Sequence, residues 1–180
     1  MKLNSAGVGM RCSSFEREPN ACYFFSFRDD VRLVSFRAFA DAEERRDARA
    51  VIDAKCETHD LVPAVGSTIS SLDDFKRITE SPVLEIRQYK MKPGSRARFA
   101  PWFRDRTLES HDRLGMPIYG QYDDLGDENG FTFFRGFRDL VQRERVKAEF
   151  YGGEYWLKEL EKEAFSMIED YSNVLLVTPV

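Results

Sequence analysis

The sequence predicts an α+β fold in which helices cover one face of an antiparallel sheet. Strand-like and helix-like patterns follow one another in the order β-α-β-β-α-β across residues 82–180, and this order is the ferredoxin-like arrangement. One predicted strand separates apolar from charged residues by strict alternation, and another, Phe131–Phe137, is rich in phenylalanine on both faces. A broad aromatic face does not stay in water, so we expect both faces of the sheet to be covered.

The strand predicted at Val83–Tyr89 is the most informative element. Its even positions are mostly apolar, and its odd positions carry a carboxylate, a guanidinium and a phenol, on Glu85, Arg87 and Tyr89. Alternate residues of a strand point to opposite faces. Because unpaired polar groups inside a protein cost roughly 2–7 kcal/mol each, these three side chains must meet partners, water or a ligand.

The other elements of the second region follow from caps, turns and apolar periodicity. Ser95 is a candidate N-cap for a helix ending near Gly115, although Pro101 requires either a later start or a kink. A polar hairpin loop, 123–130, separates the two middle strands. The remaining predicted elements are a strand at Met116–Tyr122, a helix from Asp139 to about Phe150, a helix at Glu154–Glu169 and a strand at Asn173–Thr178.

The sequence of the first region predicts a smaller structural unit. A hairpin of Ala21–Phe27 and Val31–Phe39 precedes a helix from Asp41 to about Cys56, and Thr68–Leu72 is a candidate short strand. We therefore divide the chain into a loose tail at residues 1–20, an incomplete half-repeat at 21–81, and a complete ferredoxin-like domain at 82–180. The polar connector Asp73–Pro82 contains the boundary.

An internal repeat supports this division. F-R-A-F-A-D at Phe36–Asp41 matches F-R-G-F-R-D at Phe134–Asp139, and both copies lead from a strand into an acid-capped helix. Fewer residues precede Phe36 in its copy than separate Arg87 from Phe134. We therefore expect the first copy to lack its own first strand and first helix.

Composition excludes several classes of protein. A net charge of −4 does not suit a nucleic-acid binder, and no apolar run approaches the roughly 18–20 residues of a membrane span. Cys12, Cys22 and Cys56 are scattered and lack the paired spacing of a zinc site. Without a secretory signal they indicate reduced thiols, so we expect a cytoplasmic protein with no metal, no cofactor, and no nucleic-acid or membrane partner.

Five segments together resemble the NIPSNAP family, in its bacterial form. They are E-I-R-Q-Y-K-M-K-P-G, G-M-P-I-Y-G-Q-Y, F-F-R-G-F-R-D, F-Y-G-G-E-Y-W and D-Y-S-N-V-L-L-V, and they span residues 82–180. The resemblance implies a dimeric α/β barrel, in which two ferredoxin-like sheets face each other around a cavity, and it implies no settled reaction. The Phe-rich strand also favours sheet-on-sheet pairing, so we expect a homodimer.

Within such a cavity the sequence predicts a small-molecule binding site. Arg135, Tyr119 and Gln121 lie on strands expected to neighbour Glu85, Arg87 and Tyr89, and a guanidinium there could hold a carboxylate. The alternative is a structural Glu–Arg pair that locks the sheet or the dimer. Trp102, Tyr151 and Trp156 either line an apolar cavity or belong to the core.

His111 and Tyr89 are the candidate catalytic residues. His111 lies late in the first helix of the second region, where it could be a general base, a haem ligand or an exposed residue near a helix C-terminus. Three functions stay open on this basis. They are a binding protein for a small organic acid or aromatic compound, a cofactor-independent monooxygenase or isomerase, and a non-catalytic interaction module.

Overall fold

The computed structural model of the protein describes residues 2–7, 21–26, 32–39, 41–50, 57–69 and 71–177. Its strands are β1 (Lys2–Gly7), β2 (Ala21–Ser26), β3 (Arg32–Arg37), β4 (Glu57–Pro63), β5 (Val83–Met91), β6 (Ile118–Asp124), β7 (Gly130–Phe137) and β8 (Ile168–Val177). Its helices are α1 (Ala42–Ala50), α2 (Leu72–Phe75), α3 (Arg96–Arg113), α4 (Leu140–Gly152) and α5 (Glu161–Met167), with a 3₁₀ turn at Lys76–Glu80 and a π-helical turn at Trp156–Leu160.

These strands close into one barrel within a single chain. Their order is β1-β3-β2-β8-β5-β7-β6-β4, and β4 pairs back to β1. The second half has the internal order β8-β5-β7-β6 and the first half has the matching order β4-β1-β3-β2. Two ferredoxin-like sheets therefore face each other, joined where β2 pairs with β8 and where β4 pairs with β6. The predicted α+β, ferredoxin-like class is confirmed.

The first half is more complete than the sequence predicted. β1 runs antiparallel between β3 and β4, in the position that β5 occupies in the second half. The prediction that the first half lacks its first strand is therefore wrong, and so is a loose tail over Lys2–Gly7. The segment 8–20, where a first helix would fall, lies outside the described residues. The surface that led us to expect a homodimer is covered by the chain itself.

Several local predictions are confirmed and others are shifted. The Asp139 side chain caps α4 by accepting a hydrogen bond from the backbone N–H of Gln142 at 2.6 Å. α3 begins directly after Ser95, whose side chain makes no capping bond, and Pro101 lies inside the helix. The last strand begins at Ile168 instead of Asn173. Thr68 and Ile69 are not in a strand, and β4 takes the expected place of that strand earlier in the chain.

The sheet of the second half separates two apolar layers. Leu84, Ile86 and Phe134 point into the barrel, where they pack with Ala38 and Leu61 from the first half. The opposite face packs beneath the helices. Its members include Met91, Phe131 and Phe133, with Phe99 and Phe103 of α3. The two faces of β5 therefore lie in different environments, one inside the barrel and one under α3, α4 and α5.

The connector between the halves packs against the barrel-facing layer. Phe75 of α2 and Ile78 of the 3₁₀ turn are both buried in the cluster that contains Leu84 and Ile86. Ser71 caps α2 by accepting from the Asp74 backbone N–H at 3.1 Å. The segment predicted as a polar connector is thus a short helical element with two apolar anchors. No helix within the described ranges is long and apolar enough to cross a bilayer.

Candidate functional site: a cationic pocket between sheet and helices

A buried carboxylate lies at the centre of the polar face of β5. Glu85 is fully buried and accepts hydrogen bonds from Arg135 Nε at 3.0 Å and from Arg143 Nη2 and Nε at 3.0 and 3.2 Å. Arg135 stands directly opposite Glu85 on β7, and Arg143 reaches down from α4. Burial raises the pKa of Glu85, but the two guanidinium groups outweigh it and hold that pKa at about 2.

Two tyrosines extend this network through their oxygens. Arg87 Nη2 donates to Tyr89 Oη at 3.3 Å, and Arg135 Nη1 donates to Tyr151 Oη at 3.1 Å. Each phenol oxygen therefore accepts from a cation. A tyrosine hydroxyl also carries one hydrogen, and for both phenols no described residue accepts it.

Positive charge exceeds negative charge around Glu85. Its carboxylate is within 4 Å of four cationic side chains: Arg87 and Lys147, both at 3.9 Å, and the closer Arg135 and Arg143. Arg143 also pairs with the exposed Glu144. Arg87 Nε and Arg135 Nη2 are buried, and neither has a hydrogen-bond partner among the described residues. Buried N–H groups without acceptors are costly, so this cluster favours an added anion.

A pocket of about 360 Å³ opens beside this cluster. We call it the interlayer pocket, because it lies between strands β5 and β8 and the segment from α4 to α5. Its polar lining comprises Arg87, Lys147, Glu161 and Asn173, and its aromatic and apolar lining comprises Tyr89, Tyr151, Trp156, Phe165, Ile168 and Tyr171. Arg87 also lies over two of these rings, 4.9 Å from the centroid of Tyr171 and 5.2 Å from that of Tyr89.

The structure brings four of the predicted binding residues together and separates two. Glu85, Arg87, Tyr89 and Arg135 share one face, as predicted, but this face points under the helices and not between the two sheets. The prediction that these four residues face a cavity between the two sheets is therefore wrong. Alternation along β5 fixed which residues share a face, but not which layer covers it.

Tyr119 and Gln121 have structural partners elsewhere. Tyr119 packs in the barrel-facing layer, with its hydroxyl 2.8 Å from Ser81 Oγ. Gln121 Oε1 accepts from the Thr68 backbone N–H at 3.1 Å and fixes the loop after β4. Ile118 is the β6 residue opposite Arg135, and the register of β6 shifts between Ile118 and Gln121. Neither contributes to the interlayer pocket.

The two candidate proton carriers are not tuned for proton transfer near neutral pH. His111 is buried, so its reading as an exposed residue is wrong; burial, reinforced by Arg135, lowers its pKa to about 3. Its Nδ1 lies 2.8 Å from the Thr107 carbonyl, so Nδ1 carries the hydrogen and Nε2 has no described partner. Burial raises the pKa of Tyr89 to about 12. An effective acid or base has a pKa near the working pH.

The sequence analysis named Tyr151 and Trp156, which both line the interlayer pocket, but it did not identify the two cations of α4. Arg143, Lys147 and Tyr151 recur every fourth residue, so they share one helix face and all three reach the polar face of β5 or its pocket. This spacing was visible in the sequence. Two cations and a phenol in such a stripe could have located the site under the helix.

A second pocket, of about 300 Å³, lies at one end of the barrel. His59 of β4 lies there, with its Nδ1 3.2 Å from Asp124 Oδ2 of β6, and the pair bridges one junction between the halves. Its one lysine, Lys90, pairs with Glu169 at 3.3 Å. This lining offers no surplus of cations. Within the described ranges, no group of three His, Cys, Asp or Glu residues could hold a metal ion.

The fold and this site define a class of protein, namely a two-sheet α+β barrel with a cationic pocket under its helices. Residues 84–180 match the family model described as NIPSNAP, which is more than half of the chain. The chain therefore belongs to the NIPSNAP family, and the predicted resemblance is confirmed. Among curated proteins, none matches this chain.

Solved structures agree with this assignment at the level of the fold. A NIPSNAP-like domain protein from Burkholderia xenovorans is 23% identical with a TM-score of 0.50, over 54% of this chain and 84% of its own. Two proteins described as a "putative monooxygenase" match 98% of this chain. The one from Fusobacterium nucleatum is 12% identical over 90% of its own length, with a TM-score of 0.62. The one from Lactobacillus acidophilus is 15% identical over 91%, with a TM-score of 0.56.

Proposed function

We propose that this protein binds a small organic anion, a carboxylate with an apolar or aromatic body, in the interlayer pocket. The observation that carries the proposal is the surplus of buried cations around Glu85, together with the unpaired N–H groups of Arg87 and Arg135. A carboxylate in the pocket would supply an acceptor to Arg87, which lines it, and would offset the positive charge of Arg135 behind it. Charge-assisted hydrogen bonds of this kind are about twice as strong as neutral ones.

The aromatic lining of the pocket supports a ligand with an apolar or aromatic body. Tyr89, Tyr151, Trp156 and Tyr171 border the pocket, and their rings offer apolar surface beside the cations. Ligand pockets in proteins are mostly apolar and carry a few polar groups that fix orientation. Because the volume of about 360 Å³ falls in the usual range for such pockets, a ligand with one ring fits this site.

Backbone register indicates one such site per chain. Arg37 on β3 corresponds to Arg135 on β7, since both follow phenylalanine in the repeated motif. Arg135 stands opposite Glu85, whereas Arg37 stands opposite Lys2. Among the described residues of β1, the position opposite Arg37 therefore carries a cation in place of an acid. We expect a titration to give one bound anion per chain.

The other functions proposed from the sequence have less support. Identities of 12 and 15% to the two monooxygenase-described proteins establish the fold alone. Neither His111 nor Tyr89 has a pKa suited to proton transfer. The homodimer and the cytoplasmic location stay predictions, and a non-catalytic interaction module would need no pocket with unpaired cationic groups.

Changing Arg87 to alanine tests the proposed function. With 3-phenylpropionate as the probe, we expect R87A to bind about 10–100-fold more weakly, because it removes a charge-assisted contact worth roughly 1.5–3 kcal/mol. Isothermal titration calorimetry measures the affinity, and the uncharged amide of the same acid should bind weakly to the unchanged protein. R138A is the matched control, because Arg138 is an exposed arginine that pairs with Asp139.

The affinity of R87A is interpreted together with a test of whether this variant is folded. Circular dichroism of R87A should match that of the unchanged protein. Equal affinity of R87A and R138A for the acid would contradict an anion site at Arg87. Unfolding of R87A, with no acid binding by the unchanged protein, would instead support a purely structural Glu–Arg network.

A further inference from the structure

The interlayer pocket contains a lysine that Glu85 does not need as a hydrogen-bond donor. Lys147 lies on α4 one turn from both Arg143 and Tyr151; it lines the pocket, and its side chain is 21% exposed to solvent. Its ammonium lies 3.9 Å from Glu85 Oε1, whereas two arginines already bind that carboxylate at 3.0 Å. Lys147 therefore lies at the pocket wall, and none of the described residues is a close hydrogen-bond partner of its ammonium.

We propose that Lys147 forms an imine with the carbonyl carbon of a 2-oxo acid whose carboxylate binds at Arg87. The proposal rests on the anion site described above and names its ligand class more narrowly. Both residues line the same pocket, so one small ligand can present its carboxylate to the guanidinium and its carbonyl to the amine. Lysine amines that form imines with carbonyl substrates are an established type of nucleophile.

The surroundings of Lys147 favour the neutral amine that such an attack requires. Burial lowers the pKa of Lys147, and although Glu85 opposes this effect, Arg143 and Arg135 add to it. A lysine beside other cations in a partly apolar pocket is the arrangement that activates an amine. Lys158 offers a contrast, because its side chain is 65% exposed and pairs with Glu154 at 3.1 Å.

Tyr151 can relay the proton that moves from nitrogen to oxygen when the imine forms. Its hydroxyl oxygen accepts from Arg135 Nη1, and no described residue accepts the hydrogen of this hydroxyl, so the group can donate to a ligand in the pocket that it lines. The Lys147 nitrogen attacks the carbonyl carbon, a C–N bond forms as the C=O π bond breaks, and one N–H proton passes by way of the Tyr151 hydroxyl to the carbonyl oxygen to give a carbinolamine. The C–O bond then breaks, the hydroxyl group leaves as water with the second N–H proton, and the C=N bond of the imine forms. The overall change is amine plus ketone to imine plus water, and no oxidant or reductant takes part.

Reductive trapping tests this inference on the full chain. The protein is incubated with phenylpyruvate and sodium cyanoborohydride, and mass spectrometry of its peptides measures the adduct on each lysine. We expect Lys147 to be labelled at least ~10-fold faster than Lys158, because it combines an activated amine with a bound carboxylate. An excess of 3-phenylpropionate, which has no ketone, should slow this labelling by occupying the same pocket.

Matched variants separate the possible outcomes. K147R should lose the fast adduct and K158R should keep it, while R87A should slow labelling of Lys147 by the same factor by which it weakens the acid. If 3-phenylpropionate binds but Lys147 is labelled no faster than Lys158, the imine is overturned and the anion site stands. If neither acid binds to the unchanged protein, both proposals are overturned together.

Discussion

Replacing Glu85 with glutamine should lower the free energy of unfolding by about 3–5 kcal/mol, the usual cost of removing one partner from a buried ion pair. Arg135 is fully buried, and its Nε depends on Glu85 Oε2 for a hydrogen bond of 3.0 Å. Glutamine has nearly the same shape but no charge, so the surrounding cations would lose the fully buried counter-charge that Glu85 provides. Equilibrium denaturation in urea, followed by circular dichroism, measures the change.

Glu144→Gln is the matched control for this experiment. Glu144 also pairs with Arg143, but its side chain is 69% exposed. Exposed ion pairs contribute about 0–1 kcal/mol, so E144Q should leave the urea midpoint nearly unchanged. If E85Q and E144Q lower the free energy of unfolding by similar amounts, the buried ion pairs of Glu85 do not contribute more stability than an exposed pair. The cations around Glu85 would then be better hydrated than their burial indicates.

The same cluster links stability to binding. Four cationic side chains gathered around one buried carboxylate repel one another, and this repulsion is a cost that the folded protein carries without a ligand. A bound anion would reduce it. Since a ligand that binds only the folded state stabilises it in proportion to RT ln(1 + [L]/Kd), a carboxylate probe should raise the melting temperature while its amide does not.

The sequence was sufficient to predict the second half of the fold and to predict which residues of β5 share its polar face. Alternation along β5 is strict, and a period of two residues determines which side chains share a face, so Glu85, Arg87 and Tyr89 were grouped correctly. The same alternation does not say which layer covers that face. Both sides of this sheet are buried, and only the stripe of Arg143, Lys147 and Tyr151 on α4 indicates that the polar face lies under a helix.

The first half shows where local patterns fail. The segment K-L-N-S-A-G of β1 has no run of β-branched or aromatic residues, so its sequence alone does not favour a strand. It is paired on both sides, with β3 and with β4. Strand preference depends strongly on such tertiary context. The early start of β8 at Ile168 has a related cause, because its backbone pairs with Met91 at the end of β5.

Acid should destabilise the protein through His111, by about 3 kcal/mol between about pH 7 and about pH 4. The folded-state pKa of about 3 lies below the ordinary value of 6.5, mainly because of burial. Between these two values the unfolded chain binds a proton that the folded chain does not bind. The stabilisation is therefore complete above about pH 6.5 and is lost as the pH falls towards about 3. Urea denaturation at a series of pH values measures this decline.

His111→Leu isolates this contribution, because leucine can keep apolar contact with Phe103 and Phe150 but cannot titrate. Its stability should fall much less over the same pH interval, although its stability at about pH 7 can differ from that of the unchanged protein. The chain has one other histidine, His59, which is partly exposed, and H59L should keep the decline. Parallel declines for H111L and the unchanged protein would contradict a buried neutral imidazole, and would assign the acid sensitivity to carboxylates such as Glu85, whose stabilisation is lost only as the pH falls from about 4.5 to about 2.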